Sequence, residues 1–128
     1  MNKEHNLYVI SFQKDPRFQK ALDLFNNSDW YLAHDAFEEL WHEANVSERK
    51  TLQGFLQIAV AELHLENGNR SGATILFGEG LGRLRCLGKS DLGVDIEHLC
   101  NCVQVRLELL HKKVDPATSS LTTLRYQA

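Results

Sequence analysis

Apolar positions recur along this chain at the three-to-four-residue spacing of amphipathic helices, with no sustained alternation of the kind strands show. Asp15-Pro16 opens the first expected helix, an N-cap side chain followed by proline at the first helical position. Ala21, Leu24 and Phe25 keep the spacing, and Asn26-Asn27-Ser28 closes it. Asp29 is placed to cap a second helix from Trp30 to about Ala44, and Ser47 a third from Glu48 to Glu66. Asn69 caps a fourth from Arg70 to Leu87, with Gly88 suited to the C′ position. After a turn over residues 89–93, a fifth helix is expected from about Val94 to Lys113. Only Leu7–Phe12 is compatible with a short strand. The pattern predicts an all-α fold: a single compact bundle of about five helices built from antiparallel helix pairs. One domain over residues 1–128 is expected, with 115–128 as a loosely held C-terminal tail.

One internal similarity supports the helix pairs. Phe25-Asn-Asn-Ser-Asp-Trp-Tyr-Leu-Ala33 and Leu65-Glu-Asn-Gly-Asn-Arg-Ser-Gly-Ala73 align without a gap. Each reads as an apolar helix end, a polar turn, an Asp or Asn cap, and an alanine four residues on. The grammar is that of helical repeats, in which a small residue lets two helices approach. Two copies make stacked pairs rather than a solenoid.

Composition narrows the function classes. With 43% hydrophobic and 24% charged residues, the 128-residue chain is ordinary for a globular domain. A formal charge of −3 argues against a general nucleic-acid binder, which needs a basic face to displace phosphate counterions. No apolar run is long enough to span a membrane. The first fifteen residues lack the uninterrupted apolar stretch of a secretory signal. Three cysteines, Cys86, Cys100 and Cys102, read as reduced thiols in a cytoplasmic protein.

The densest chemistry lies in His34-Asp-Ala-Phe-Glu-Glu-Leu-Trp-His-Glu-Ala44. At 100° per residue, Trp30, Ala33, Phe37, Leu40, Trp41 and Ala44 fill one core-facing arc. His34 and Glu38 border that arc beside Trp41 and are expected to be partly buried. Asp35, Glu39, His42 and Glu43 continue round to the opposite face, with Glu43 and His42 in water. The next helix is largely apolar, yet Gln53, Gln57 and His64 share a narrow face on it. A buried polar group left unpaired costs about 1–3 kcal/mol. The simplest arrangement therefore sets Gln53, Gln57 and His64 against His34 and Glu38. Three readings of such a cluster stay open: a hydrogen-bond network fixing the helix pairing, a pocket for a small molecule or partner, and a metal or acid–base site. The helical zinc motif His-Glu-x-x-His is absent, so no metal ligands are assigned.

Other candidates are weaker. On a helix Cys100 points away from His98, leaving only His98 and Cys102 together. Gly78, Gly80 and Gly82 follow no strand and precede no Lys-Ser/Thr pair, so they indicate close helix packing or local flexibility rather than a phosphate loop. No activated serine or cysteine nucleophile is indicated.

The blocks Ala33-His34-Asp35-Ala36-Phe37-Glu38-Glu39-Leu40-Trp41, Leu52-Gln53-Gly54-Phe55-Leu56-Gln57-Ile58-Ala59 with Leu63-His64, and Gly68-Asn69 with Gly72-Ala73 occur in order. Together they resemble domain of unknown function family 309, small proteins of bacteria, archaea and plastid lineages, over about residues 18–87. The resemblance implies an all-helical fold and no established activity or cofactor. It singles out His34, Glu38, Glu39, Trp41, Gln53, Gln57 and His64 as motif positions, and it extends the expected location to the plastid stroma for a plastid-bearing source. Asp35 stands where the family usually carries glutamate, and Glu62 where an aliphatic or aromatic residue is common. The expected function is a non-enzymatic binding or interaction module using this polar cluster, with an unidentified protein or small-molecule partner and no nucleic acid or membrane. The alternative is a metal-dependent hydrolase using His34, Glu38 and His64, with Glu39 as a possible base.

Overall fold

A computed structural model describes residues 12–116 and 122–126. Five helices follow in order: α1 (Pro16–Asn26), α2 (Trp30–Glu43), α3 (Val46–Glu66), α4 (Arg70–Leu84) and α5 (Ile96–His111). Two-residue strands β1 (Ser90–Asp91) and β2 (Val94–Asp95) form a hairpin between α4 and α5, and the all-α expectation stands. The expected strand at Leu7–Phe12 falls outside the described residues except for Phe12, which sits in a 3-10 turn over Phe12–Lys14.

The caps explain where the helices begin. Asp15 accepts from the Arg17 backbone N–H, and Asn69 from that of Gly72. For α3 the cap is Asn45 rather than Ser47. Asn45 Oδ1 takes the Glu48 N–H, and Glu48 Oε1 returns to the Asn45 N–H, a reciprocal box that starts the helix at Val46. Asp29 makes no side-chain cap bond. The fourth helix tightens into a 3-10 turn over Arg85–Leu87, and the fifth starts two residues later than expected because Asp95 caps it.

The two similar segments fold into the same turn. Ser28 (φ 62°) and Gly68 (φ 79°) both take the left-handed conformation. The N–H groups of Ser28 and Asp29 reach Phe25 O and Leu24 O, and those of Gly68 and Asn69 reach Leu65 O and His64 O. These are paired Schellman closures, each leading directly into the next helix.

The core runs through an aromatic cluster. Phe37 of α2 lies edge-on to Phe18 and Phe25 of α1, at 6.4 Å from each, and 5.5 Å from Phe55 of α3. Phe25 also meets Trp30 at 4.9 Å. The α3–α4 contact is tighter, because glycines face it. A Cβ on Gly80 would stand 2.6 Å from the Ile58 side chain, and one on Gly54 would stand 2.8 Å from Leu84. Gly78 and Gly82 face open space. Close packing thus accounts for Gly80 alone of the three.

Residues 122–126, expected within a loosely held tail, are fastened to the bundle. Asn26 exchanges two 2.7 Å hydrogen bonds with the Leu124 backbone, and Leu124 is buried. Arg106 Nε donates to Thr122 Oγ1 at 2.7 Å, and its Nη1 donates to Pro116 O at 3.1 Å. The same Nε lies 2.6 Å from Glu62 Oε2, within the buried interior. Because the N–H points at Thr122, Arg106 holds Glu62 through charge rather than an aligned hydrogen bond. Burial pushes the Glu62 carboxyl above the usual glutamate range, and Arg106 offsets part of that rise.

Two stability predictions follow from these contacts. Gly82→Ala, adding a methyl group to a helix interior in open space, is expected to stabilise by about 0.5–1 kcal/mol. Gly80→Leu is expected to destabilise, because its side chain must displace Ile58; urea unfolding of both variants checks the pair. A raised folded pKa at Glu62 contributes stability that is complete below the unfolded carboxyl value and is lost as pH rises through the folded one. Arg106 opposes that rise, so Arg106→Met steepens the loss. The variant should lose about 3 kcal/mol at neutral pH and less at pH 5, measured by denaturation at both values.

Candidate functional site

Helix α3 carries α2 on one flank and α4 on the other, and those two do not pack extensively on each other. Between them a groove remains over the Gln53–Val60 stretch of α3. It forms a cleft of about 440 Å³ lined by His34, Glu38, Trp41 and His42 from α2, Gln53, Leu56, Gln57 and Val60 from α3, and Leu76 from α4. α2 and α3 each contribute residues about one turn apart, and α4 adds Leu76, which is why side chains distant in sequence converge.

The α2 wall is a ladder of alternating charge types. His34 Nε2 lies 3.4 Å from Glu38 Oε2, and His42 Nε2 lies 3.9 Å from Glu38 Oε1. The other His34 ring nitrogen faces Asp35 Oδ1 at 3.3 Å. Glu38 is half exposed, so this wall borders solvent rather than sitting in the core. The apolar part of the cleft is made by Leu56, Val60, Leu76 and Trp41.

Gln57 is the least satisfied member. Its amide nitrogen donates to Glu79 Oε2 of α4 at 3.3 Å, which fixes its carbonyl oxygen as the acceptor. That Oε1 is buried, and no donor among the described residues reaches it. The expected pairing of Gln57 with His34 and Glu38 is therefore replaced by one with Glu79.

Two motif residues lie elsewhere. His64 follows Gln57 by seven residues, about 10 Å along the helix axis, and its Nδ1 meets Asn69 Nδ2 at 3.2 Å in the α3–α4 turn. Glu39 points to the other side of α2, where Arg17 NH1 lies 3.5 Å away. Arg17 also holds Asp15 and Glu43, the latter through two bonds of 2.7 and 2.9 Å, so Glu43 is paired although exposed. This arginine keeps the Asp15 and Glu43 carboxyls below the usual range, chiefly through its side-chain hydrogen bonds. His34, Glu38 and His64 are thus not gathered into one ligand set, and no group of three metal-binding side chains occurs among the described residues.

His42 and Leu76 join the cleft without having been expected there. His42 is 40° beyond Glu38 on the α2 wheel, close enough for its ring to reach the rim. The Glu62–Arg106 pair was also not foreseen, although a glutamate inside so apolar a helix was its signal. Elsewhere, Cys102 Sγ lies 3.6 Å from His98 Nε2, and that nitrogen is 2.8 Å from Thr123 Oγ1. Burial lowers the His98 pKa and raises that of Cys100. No helix among the described residues is long and apolar enough to cross a membrane.

Residues 18–76 match a family model described as Domain of unknown function (DUF309). No curated protein matches the chain. The matched segment contains every residue that lines the cleft.

Stability separates the rim from the floor. Glu38→Ala should change stability by no more than about 0.5 kcal/mol, as at other exposed positions. Gln57→Leu should be neutral or stabilising, because it removes a buried acceptor without a donor. A loss of several kcal/mol on Glu38→Ala in urea denaturation would instead mean that the α2 ladder is part of what holds the bundle together.

Proposed function

With the match to an uncharacterised helical domain as the premise, we propose that the chain is a small-molecule-binding module whose site is the cleft between α2, α3 and α4. The observation that carries this reading is the cleft's make-up. An apolar floor of Leu56, Val60 and Leu76 meets a solvent-facing acceptor at the Glu38 carboxylate, while Gln57 Oε1 is buried beneath the lining. Its volume falls in the range of small-ligand pockets, and few polar groups on an apolar lining is their usual chemistry. The Glu38 carboxylate favours a ligand with an apolar body that carries an N–H donor, because an N–H aimed at a half-exposed carboxylate makes a charge-assisted hydrogen bond. The hydrolase alternative draws no support from His64 or Glu39, which lie outside the cleft.

Indole and 1-methylindole supply the test, as flat apolar bodies with and without the N–H. Indole is expected to shift the methyl resonances of Leu56, Val60 and Leu76 saturably in NMR titration. The N-methyl compound should bind at least about fivefold more weakly, the least that loss of one hydrogen bond to a carboxylate implies. Val60→Trp, which fills the floor, should abolish both responses. Methyl groups that do not respond to either compound, or a response that survives Val60→Trp, would sink the proposal.

A further inference from the structure

The cleft does not end at Trp41. Trp41 and Gln53 also line a second concavity of about 490 Å³, completed by Val46, Arg49, Lys50 and Arg83. The two hollows therefore share Trp41 and Gln53 as a common wall. The first is apolar with hydrogen-bond acceptors. The second holds three cations in a chain whose net charge is −3.

No carboxylate among the described residues lies within ion-pair distance of Arg49, Lys50 or Arg83. The two nearest sequence acids are otherwise engaged, Glu48 in the α3 capping box and Glu79 with Gln57. Arg49 is also held in place. Its Nε donates to Trp41 O at 3.1 Å and its Nη2 to His42 O at 3.4 Å. Its guanidinium carbon stands 4.5 Å from the Trp41 ring centroid, a cation–π contact. Two of its five N–H donors are thus used in positioning, and the remainder are left for an oxygen ligand. A guanidinium fixed by backbone carbonyls and an aromatic ring loses little side-chain entropy on binding an anion.

We infer that the module's ligand is a small anion, with a carboxylate or phosphate held by Arg49, Lys50 and Arg83 and an apolar, N–H-bearing body lying past Trp41 in the cleft. The inference rests on the binding reading above and adds the charged end. Three cations around one hollow suit a single acidic group. A polynucleotide requires a basic stripe extending along a face.

Matched indoles test this end alone. Indole-3-propionate and its neutral propionamide share a body and differ in charge, and 2-(indol-3-yl)ethyl phosphate tests the phosphate arm. At low salt at least one acid should bind about tenfold tighter than the amide, as expected for one charge-assisted hydrogen bond. The tighter of the two acids identifies the group. Its advantage should shrink from 25 to 500 mM NaCl as the cations are screened. The double variant Lys50→Gln, Arg83→Gln spares the Arg49–Trp41 stack, and its acid affinity should fall toward that of the amide. If indole binds in the cleft but neither acid exceeds the amide, the anion site is wrong and the binding module stands. If indole itself fails to bind, both are overturned.

Discussion

The arrangement turns on Phe37. Its buried ring is wedged between Phe18 and Phe25 of α1 on one side and Phe55 of α3 on the other. A side chain with three aromatic neighbours has one comfortable rotation, and that rotation sets the roll of α2 about its axis. Glu38 follows Phe37 by 100° and His34 precedes it by three residues, so both are turned toward the α3 groove. A roll of α2 by half a helical position would carry the histidine–glutamate ladder into solvent or into the core. The cleft is a consequence of how Phe37 packs.

The second constraint is the unequal spacing of α3 from its neighbours. Gly54 of α3 admits Leu84 of α4, and Gly80 of α4 admits Ile58 of α3, so the two helices meet without an intervening side chain. On the neighbouring flank of the same stretch of α3, beside α2, a groove opens over Gln53, Gln57 and Val60, with Leu76 of α4 on its far side. Dense packing and a concavity thus lie side by side on neighbouring flanks of α3. The polar residues that a core excludes collect where the packing loosens, which is why Gln57 can keep a buried oxygen unmatched.

Much of the helix order was legible because caps and breakers are local signals. Asp15-Pro16, Asn69 and the paired turns at Ser28 and Gly68 need only neighbouring backbone groups. Asn45 was less legible, since Ser47 offers the same chemistry and only the reciprocal bond with Glu48 decides between them. The association of His34 and Glu38 with Trp41, Gln53 and Gln57 could be anticipated from two helical wheels. The exclusion of His64 could not, because a wheel projects away the axial coordinate that separates it from Gln57. Nor could a wheel show that Glu39 serves Arg17, a contact that depends on α1 packing beside α2. The pinning of Leu124 by Asn26 spans 98 positions and has no local signature.

The position of Glu62 links the cleft-bearing helices to the rest of the chain. It lies within the matched segment, whereas its charge partner Arg106 lies beyond it. A buried acid is tolerated in α3 because α5 supplies the opposite charge, and Arg106 then also holds Pro116 O and Thr122. The two charges make sense only together, since either alone would be buried without a partner. Arg83 also lies past the matched residues, whereas Trp41, Arg49 and Lys50 lie within them. The cleft therefore sits wholly inside the family-like helices. Part of its cationic rim, and the brace that fixes the back of α3, come from the sequence that follows.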